Sequence, residues 1–109
     1  MRNQELNQLK KGILKIIILK IISENKSYGY EMISKIDSAS NGLFKMKEGT
    51  LYPILYKLED DNLIKSEWQN PMGKQKAKKY YVITPEGQKM LNNWISMWKE
   101  FSETVNIFL

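Results

Sequence analysis

The stretch that most constrains the fold is Glu48 to Ile64, EGTLYPILYKLEDDNLI. Leu51, Leu55 and Leu58 fall at i, i+4 and i+7, one face of a 3.6-residue period, so the stretch predicts a short amphipathic helix. Thr50, Tyr52, Tyr56 and Lys57 are left on the remaining surface. Pro53 is expected near the helix start, where backbone N–H groups lack intrahelical partners and a missing donor costs little. Asn62 tolerates the left-handed conformation that ends a helix. The chain must therefore pass from helix into strand within a few residues. A helix that buries leucines and presents Tyr, Thr and Lys suits DNA reading. It also suits a plain surface helix, and the stretch alone does not separate the two.

At 109 residues the chain is one domain by the length prior, and a domain this small is often helped by oligomerisation. No apolar run reaches about 18 residues, so no transmembrane helix is expected. The opening MRNQELNQLKK is polar and contains an acid, unlike a secretory signal or transit peptide, and the cytoplasm is the expected location. Net charge is +5, carried by lysine with Arg2 as the only arginine, which favours a polyanionic partner without specifying one.

Residues 5 to 24 are densely apolar: Leu6, Leu9, Ile13, Ile16, Ile17, Leu19, Ile21 and Ile22, broken by Lys10, Lys11, Lys15 and Lys20. The IIIL run fits a buried strand too, but the pattern extends upstream at helical spacing, which predicts one long helix buried on more than one side. Ser27 reads as the N-cap of a second helix from about Tyr28 to Ala39, with Met32, Ile33 and Ile36 inward. Gly29 in its first turn suggests close backbone approach, to another helix or to phosphate.

After the central helix, LIKSEWQ alternates as a half-buried strand should, Pro71 and Gly73 signal a turn, and KKYYVIT reads as the return strand. Lys74, Lys76, Lys78 and Lys79 cluster at the hairpin tip and its exit with no acid among them. Such a run is usually a solvated face. Beside a reading helix it becomes a wing that grips phosphate or the minor groove.

Thr84, Pro85 and Glu86 open the last helix as N-cap, first helical residue and dipole partner. Within it Leu91, Trp94, Trp98, Phe101, Val105 and Phe108 repeat at spacings of 3 and 4, a seam over about two and a half heptads. Left wet, such a stripe is too large a patch, and a homodimer is the simplest way to bury it. Two bulky rings in such a seam, Trp94 and Trp98, either pack as dimer core or hold the helices apart and leave a slot.

The chain has no His and no Cys, hence no Cys–His or Ser–His pair and no usual zinc site, and no glycine-rich phosphate loop. Glu59, Asp60 and Asp61 are adjacent, but consecutive helix residues point different ways and read as a solvated helix end. No enzyme, cofactor or metal is expected.

The chain resembles the PadR family of bacterial transcriptional regulators over nearly its whole length. The resemblance rests on YGYE at Tyr28–Glu31, EGTLYP at Glu48–Pro53, KLE at Lys57–Glu59, YY at Tyr80–Tyr81 and TPEG at Thr84–Gly87. The single helix after the hairpin looks like the short-tailed subgroup. The resemblance implies a mainly α fold with a small β-hairpin. Residues 1–83 would form a winged helix-turn-helix DNA-binding domain, with the first helix also contributing to the dimer. Residues 84–109 would form a C-terminal dimerisation helix. It further implies a dimeric repressor on a pseudo-palindromic operator. Some members of the subgroup sense planar aromatic drugs by stacking tryptophan at the dimer interface, and Trp98 looks like that position, with Trp94 one turn earlier. The residues expected on double-stranded DNA are Tyr28, Gly29, Thr50, Tyr52, Tyr56, Lys57, Lys74, Lys76 and Lys78. Leu91, Trp94, Trp98, Phe101, Val105 and Phe108 are expected in the dimer interface, and Trp94, Trp98, Ile13 and Ile17 around a ligand.

Three positions depart from the family pattern: Asn62 where glycine is usual, Asp60 where a basic residue is frequent, and a wing with lysine only. Lysine binds phosphate as a point charge and cannot fork onto guanine, so strong guanine readout by the wing is not expected. The competing reading is a small-molecule-binding or protein-interaction winged-helix module with no direct DNA role. Its sign would be the absence of salt-dependent duplex binding.

Overall fold

The computed structural model describes residues 2–69 and 76–109. The hairpin tip, with Pro71, Gly73 and Lys74, lies outside the described residues. The elements run α1 (Arg2–Lys10), α2 (Leu14–Glu24), β1 (Ser27–Tyr28), α3 (Gly29–Ala39), α4 (Glu48–Asp60), β2 (Ile64–Gln69), β3 (Lys78–Ile83) and α5 (Pro85–Phe108). The three strands form one antiparallel sheet in the order β1-β3-β2. The fold is mainly helical with a small sheet and a long last helix, as expected.

The core is aliphatic and central. Ile18, Leu19, Ile21 and Ile22 of α2 meet Met32 and Ile36 of α3, and Leu51, Leu55 and Leu58 of α4. Leu63 and Ile64, Tyr81 and Leu91 close it from β2, β3 and α5. Four buried residues within five positions of α2 cannot lie on one stripe, so this helix is covered from two sides.

The single helix expected over residues 5–24 is two helices. Gly12 takes φ +86°, a left-handed conformation that glycine adopts without Cβ strain, and the turn closes with Ile13 N–H donating to the Lys10 carbonyl at 3.1 Å. The apolar spacing continues across the break, which is why periodicity alone joined the two segments. Ser27 is likewise not a helix cap. It pairs with Tyr81 as part of β1, and its hydroxyl donates to the Asn25 carbonyl at 2.9 Å. The residue before the helix is Tyr28, whose N–H donates to Glu31 Oε1 at 3.1 Å.

One feature interrupts the bonding of α4 and another ends the helix. Pro53 is its sixth residue, beyond the free N–H groups of the first turn, so it withdraws a bond from the Gly49 carbonyl instead of replacing a missing one. At the other end Asn62 has φ +61°, Asn62 N–H donates to the Glu59 carbonyl at 3.0 Å, and Leu63 N–H donates to the Leu58 carbonyl at 2.9 Å. This is a Schellman stop, with Leu58 and Leu63 as its buried apolar pair.

The join between α4, β2 and α5 is tight. Thr84 is 4 % exposed; its Oγ1 accepts from Gly87 N–H at 2.9 Å and donates to the Asn62 carbonyl at 2.7 Å. A Cβ at Gly87 would stand 2.0 Å from the Leu63 carbonyl oxygen, so only glycine allows α5 to lie this close to the end of α4.

Candidate nucleic-acid interface

Burying Leu51, Leu55 and Leu58 turns the opposite side of α4 outward. Thr50 and Lys57 are exposed, Tyr56 is 54 % exposed, and Tyr52 is half-buried. The Tyr52 and Tyr56 rings stand 6.1 Å apart, tilted by 35°. Together they offer hydroxyl donors, ring edges and one cation along two turns of helix. These are the groups that read base edges and phosphates in a major groove.

Gly29 lies under Tyr52. A Cβ there would be 2.6 Å from the Tyr52 hydroxyl oxygen, so glycine lets the start of α3 pack against α4. Of the two close approaches that Gly29 could serve, this structure contains the helix contact. Lys57 is not a free cation. It bonds Asp61 Oδ1 at 3.2 Å, an i,i+4 pair. Pairs this exposed are worth about 1 kcal/mol or less, so phosphate can replace the carboxylate as partner.

The sheet carries a second set of groups. Tyr28 and Tyr80 are in register across β1 and β3 and meet edge to face at 5.3 Å. Lys78 Nζ sits 4.4 Å above the Tyr28 ring, and Lys26 Nζ 5.6 Å from the Tyr80 ring. Lys26 also reaches Glu67 at 3.8 Å. These aromatic and cationic contacts tie the wing to the start of α3. Lys76 is exposed and lies before β3, and Lys74 is outside the described residues. Lys26 and Tyr80 join this cluster through β1, a two-residue strand too short for any periodicity to reveal. On the other face of the sheet Tyr81 is buried, and its phenol is pushed up from 10.0 to about 12 by burial first and then by the field of Glu59, with Tyr52 and Tyr56 adding.

An apolar groove of about 830 Å³ runs between α1, α2, α3 and α5. Ile13, Ile17 and Trp98 line it, with Leu6, Leu9 and Phe44. Trp94 does not. It is half-buried against the core, with Lys15 Nζ 4.6 Å from its ring. Of the expected seam, Leu91 is 1 % exposed within its own core and is unavailable to a partner. Trp98, Phe101, Val105 and Phe108 are 45 %, 62 %, 37 % and 82 % exposed. Leu91 is absent from the seam because α5 packs there against α2.

Among the described residues no helix is long and apolar enough to cross a membrane, and no cluster of acids could hold a metal ion.

The family model described as "Transcriptional regulator PadR-like family" matches residues 18–93. An uncharacterised protein of Lysinibacillus sphaericus is 34% identical over 99 residues, which cover 91% of this chain and 90% of that protein. The negative transcriptional regulator PadR of Bacillus subtilis is 28% identical over 93 residues, 85% of this chain but 50% of that regulator. Among solved structures, a transcriptional regulator from Clostridium thermocellum superposes with a TM-score of 0.86 at 33% identity, covering 94% of this chain and 98% of the other.

Proposed function

The chain belongs to the PadR-like family of transcriptional regulators, DNA-binding proteins and not enzymes, and on that premise we propose that it is a homodimeric repressor of a pseudo-palindromic operator. Residues 1–83 would bind DNA and residues 84–109 would pair the subunits. The observation that carries the reading is the outward face of α4, where Thr50, Tyr52, Tyr56 and Lys57 stand together above three buried leucines.

In this reading the two α4 helices enter successive major grooves. Thr50 and Tyr56 meet base edges and phosphates, with thymine methyls an apolar target for the ring. Lys57 exchanges Asp61 for phosphate. Lys74, Lys76 and Lys78 hold the backbone at the wing, and Tyr28 and Gly29 border the phosphate path at the start of α3. Repression is what the name of the Bacillus subtilis relative states of that protein.

Dimerisation is supported by the exposed distal stripe of α5, which a second copy would cover. A planar aromatic effector is supported by the groove beside Trp98, Ile13 and Ile17, with Trp94 as packing behind it instead of a stacking face. Such a ligand releases DNA only by preferring one separation of the two α4 helices over another.

The test is anisotropy of a labelled duplex from the gene's own upstream region, against a scrambled duplex, over a salt series. The expected result is a specificity ratio of about a thousand or more with a steep negative salt slope. Equal, weak binding to every upstream segment tried rejects operator recognition.

A further inference from the structure

The core-facing side of the hairpin carries three registered pairs: Ile64 with Ile83, Ser66 with Tyr81, and Trp68 with Lys79. The first pair lies in or against the core, and Tyr81 is buried in the second. The third runs past the core: Trp68 is 65 % exposed. A lone exposed aromatic needs no explanation, but Trp68 is not placed like one. It shares its face with Tyr81, which is buried in one core cluster with Leu51, Leu55 and Leu58 of α4, so this is the side of the wing turned toward α4. Lys79, its cross-strand partner, holds its ammonium 5.4 Å from the Tyr81 ring. The neighbouring acid of β2, Glu67, faces the other way and is paired with Lys26. The result is a flat apolar ring with an N–H donor and an adjacent cation, on the side of the wing turned toward α4.

We propose that Trp68 is a DNA-contact residue of the wing: its ring packs on a deoxyribose and its Nε1–H donates to a phosphate oxygen, while Lys79 neutralises the adjoining phosphate. Sugar and phosphate supply both kinds of surface that the pair presents, apolar and anionic. The contact is to backbone, so it adds affinity to every sequence and little discrimination. This proposal rests on the DNA-binding reading of α4.

The experiment is the same duplex titration with the full chain, its Trp68→Phe, Trp68→Ala and Lys79→Ala variants, read by anisotropy and by tryptophan emission. Trp68 is exposed and Lys79 half-buried, and circular dichroism checks that all three variants fold. Trp68→Ala is expected to weaken specific and scrambled duplexes alike by about three- to tenfold with the salt slope unchanged, as loss of one aromatic contact does. Lys79→Ala should lower the slope by about one. The change in emission on adding duplex should shrink in Trp68→Phe, while Trp94 and Trp98 still emit. A wild-type protein that binds DNA steeply with salt, beside a Trp68→Ala variant of equal affinity and a Trp68→Phe variant with an undiminished emission change, overturns the proposal and leaves the α4 reading standing. A wild-type protein that binds no duplex overturns both.

Discussion

A methyl group added at Gly29 would meet the Tyr52 hydroxyl oxygen at 2.6 Å and its ring carbon at 3.1 Å. Gly29→Ala should therefore push α3 and α4 apart or turn Tyr52 away, lowering stability by about 1 kcal/mol, the low end for overpacking because a side chain can yield. The urea midpoint should fall with the slope unchanged, and Tyr52→Phe in the same chain should recover part of the loss. Tyr81 sets a different condition. Its phenol is held up at about 12 against 10.0 in the unfolded chain. Between those values the folded state keeps a proton that the unfolded state has lost, so stability falls as pH rises through that window and is fully present below it. Tyr81→Phe should flatten the decline, measured as urea midpoints from pH 9 to 12 on the scale of that shift. At the wing, Lys74→Ala with Lys76→Ala should weaken all duplexes alike and reduce the salt slope by about one to two. An unchanged slope would remove these lysines from the mechanism.

The elements differ in how far local rules reach. The cap of α5 was legible because Thr84, Pro85 and Glu86 sit side by side, each with a preference set by its immediate neighbours. That the same hydroxyl also holds the Asn62 carbonyl was not, since that bond spans 22 residues. The outward face of α4 is legible from leucine spacing, and the stop at Asn62 from its tolerance of positive φ. The break at Gly12 leaves no mark on the apolar spacing, because such a period can continue on both sides of a turn. Strand β1 has two residues and acquires its meaning only from pairing with β3, so the Lys26, Tyr28, Tyr80 and Lys78 cluster had no local signal. Thr84 therefore offers the sharpest test of an element join. Thr84→Ala removes the cap and leaves the Asn62 carbonyl without its donor, and should lower stability by about 1 to 2 kcal/mol. Thr84→Ser keeps the hydroxyl and should lose much less. Equal losses would mean that the methyl group and not the hydroxyl holds the join.

At the scale of the whole molecule, the unresolved demand is the distal half of α5. Trp98, Phe101, Val105 and Phe108 present one apolar stripe next to an apolar groove on the same side. Fully burying each such side chain is worth about 1.5 to 3 kcal/mol, and in a symmetric dimer every contact occurs twice. A charge in that stripe is repeated likewise, so Phe101→Asp would bury two unpaired carboxylates and should raise the dimer dissociation constant by at least about a hundredfold. Sedimentation equilibrium reads this directly, with circular dichroism checking that the monomer folds, since Phe101 is 62 % exposed and outside the core. Operator binding should then weaken and become steeply dependent on protein concentration, because two half-sites must be filled by separate chains. Trp98→Ala is the milder companion. If Trp98 serves a ligand more than the interface, this variant should keep the dimer and lose only quenching by flat aromatic cations. Dimers of unchanged affinity in Phe101→Asp would show that the stripe faces something other than a second copy.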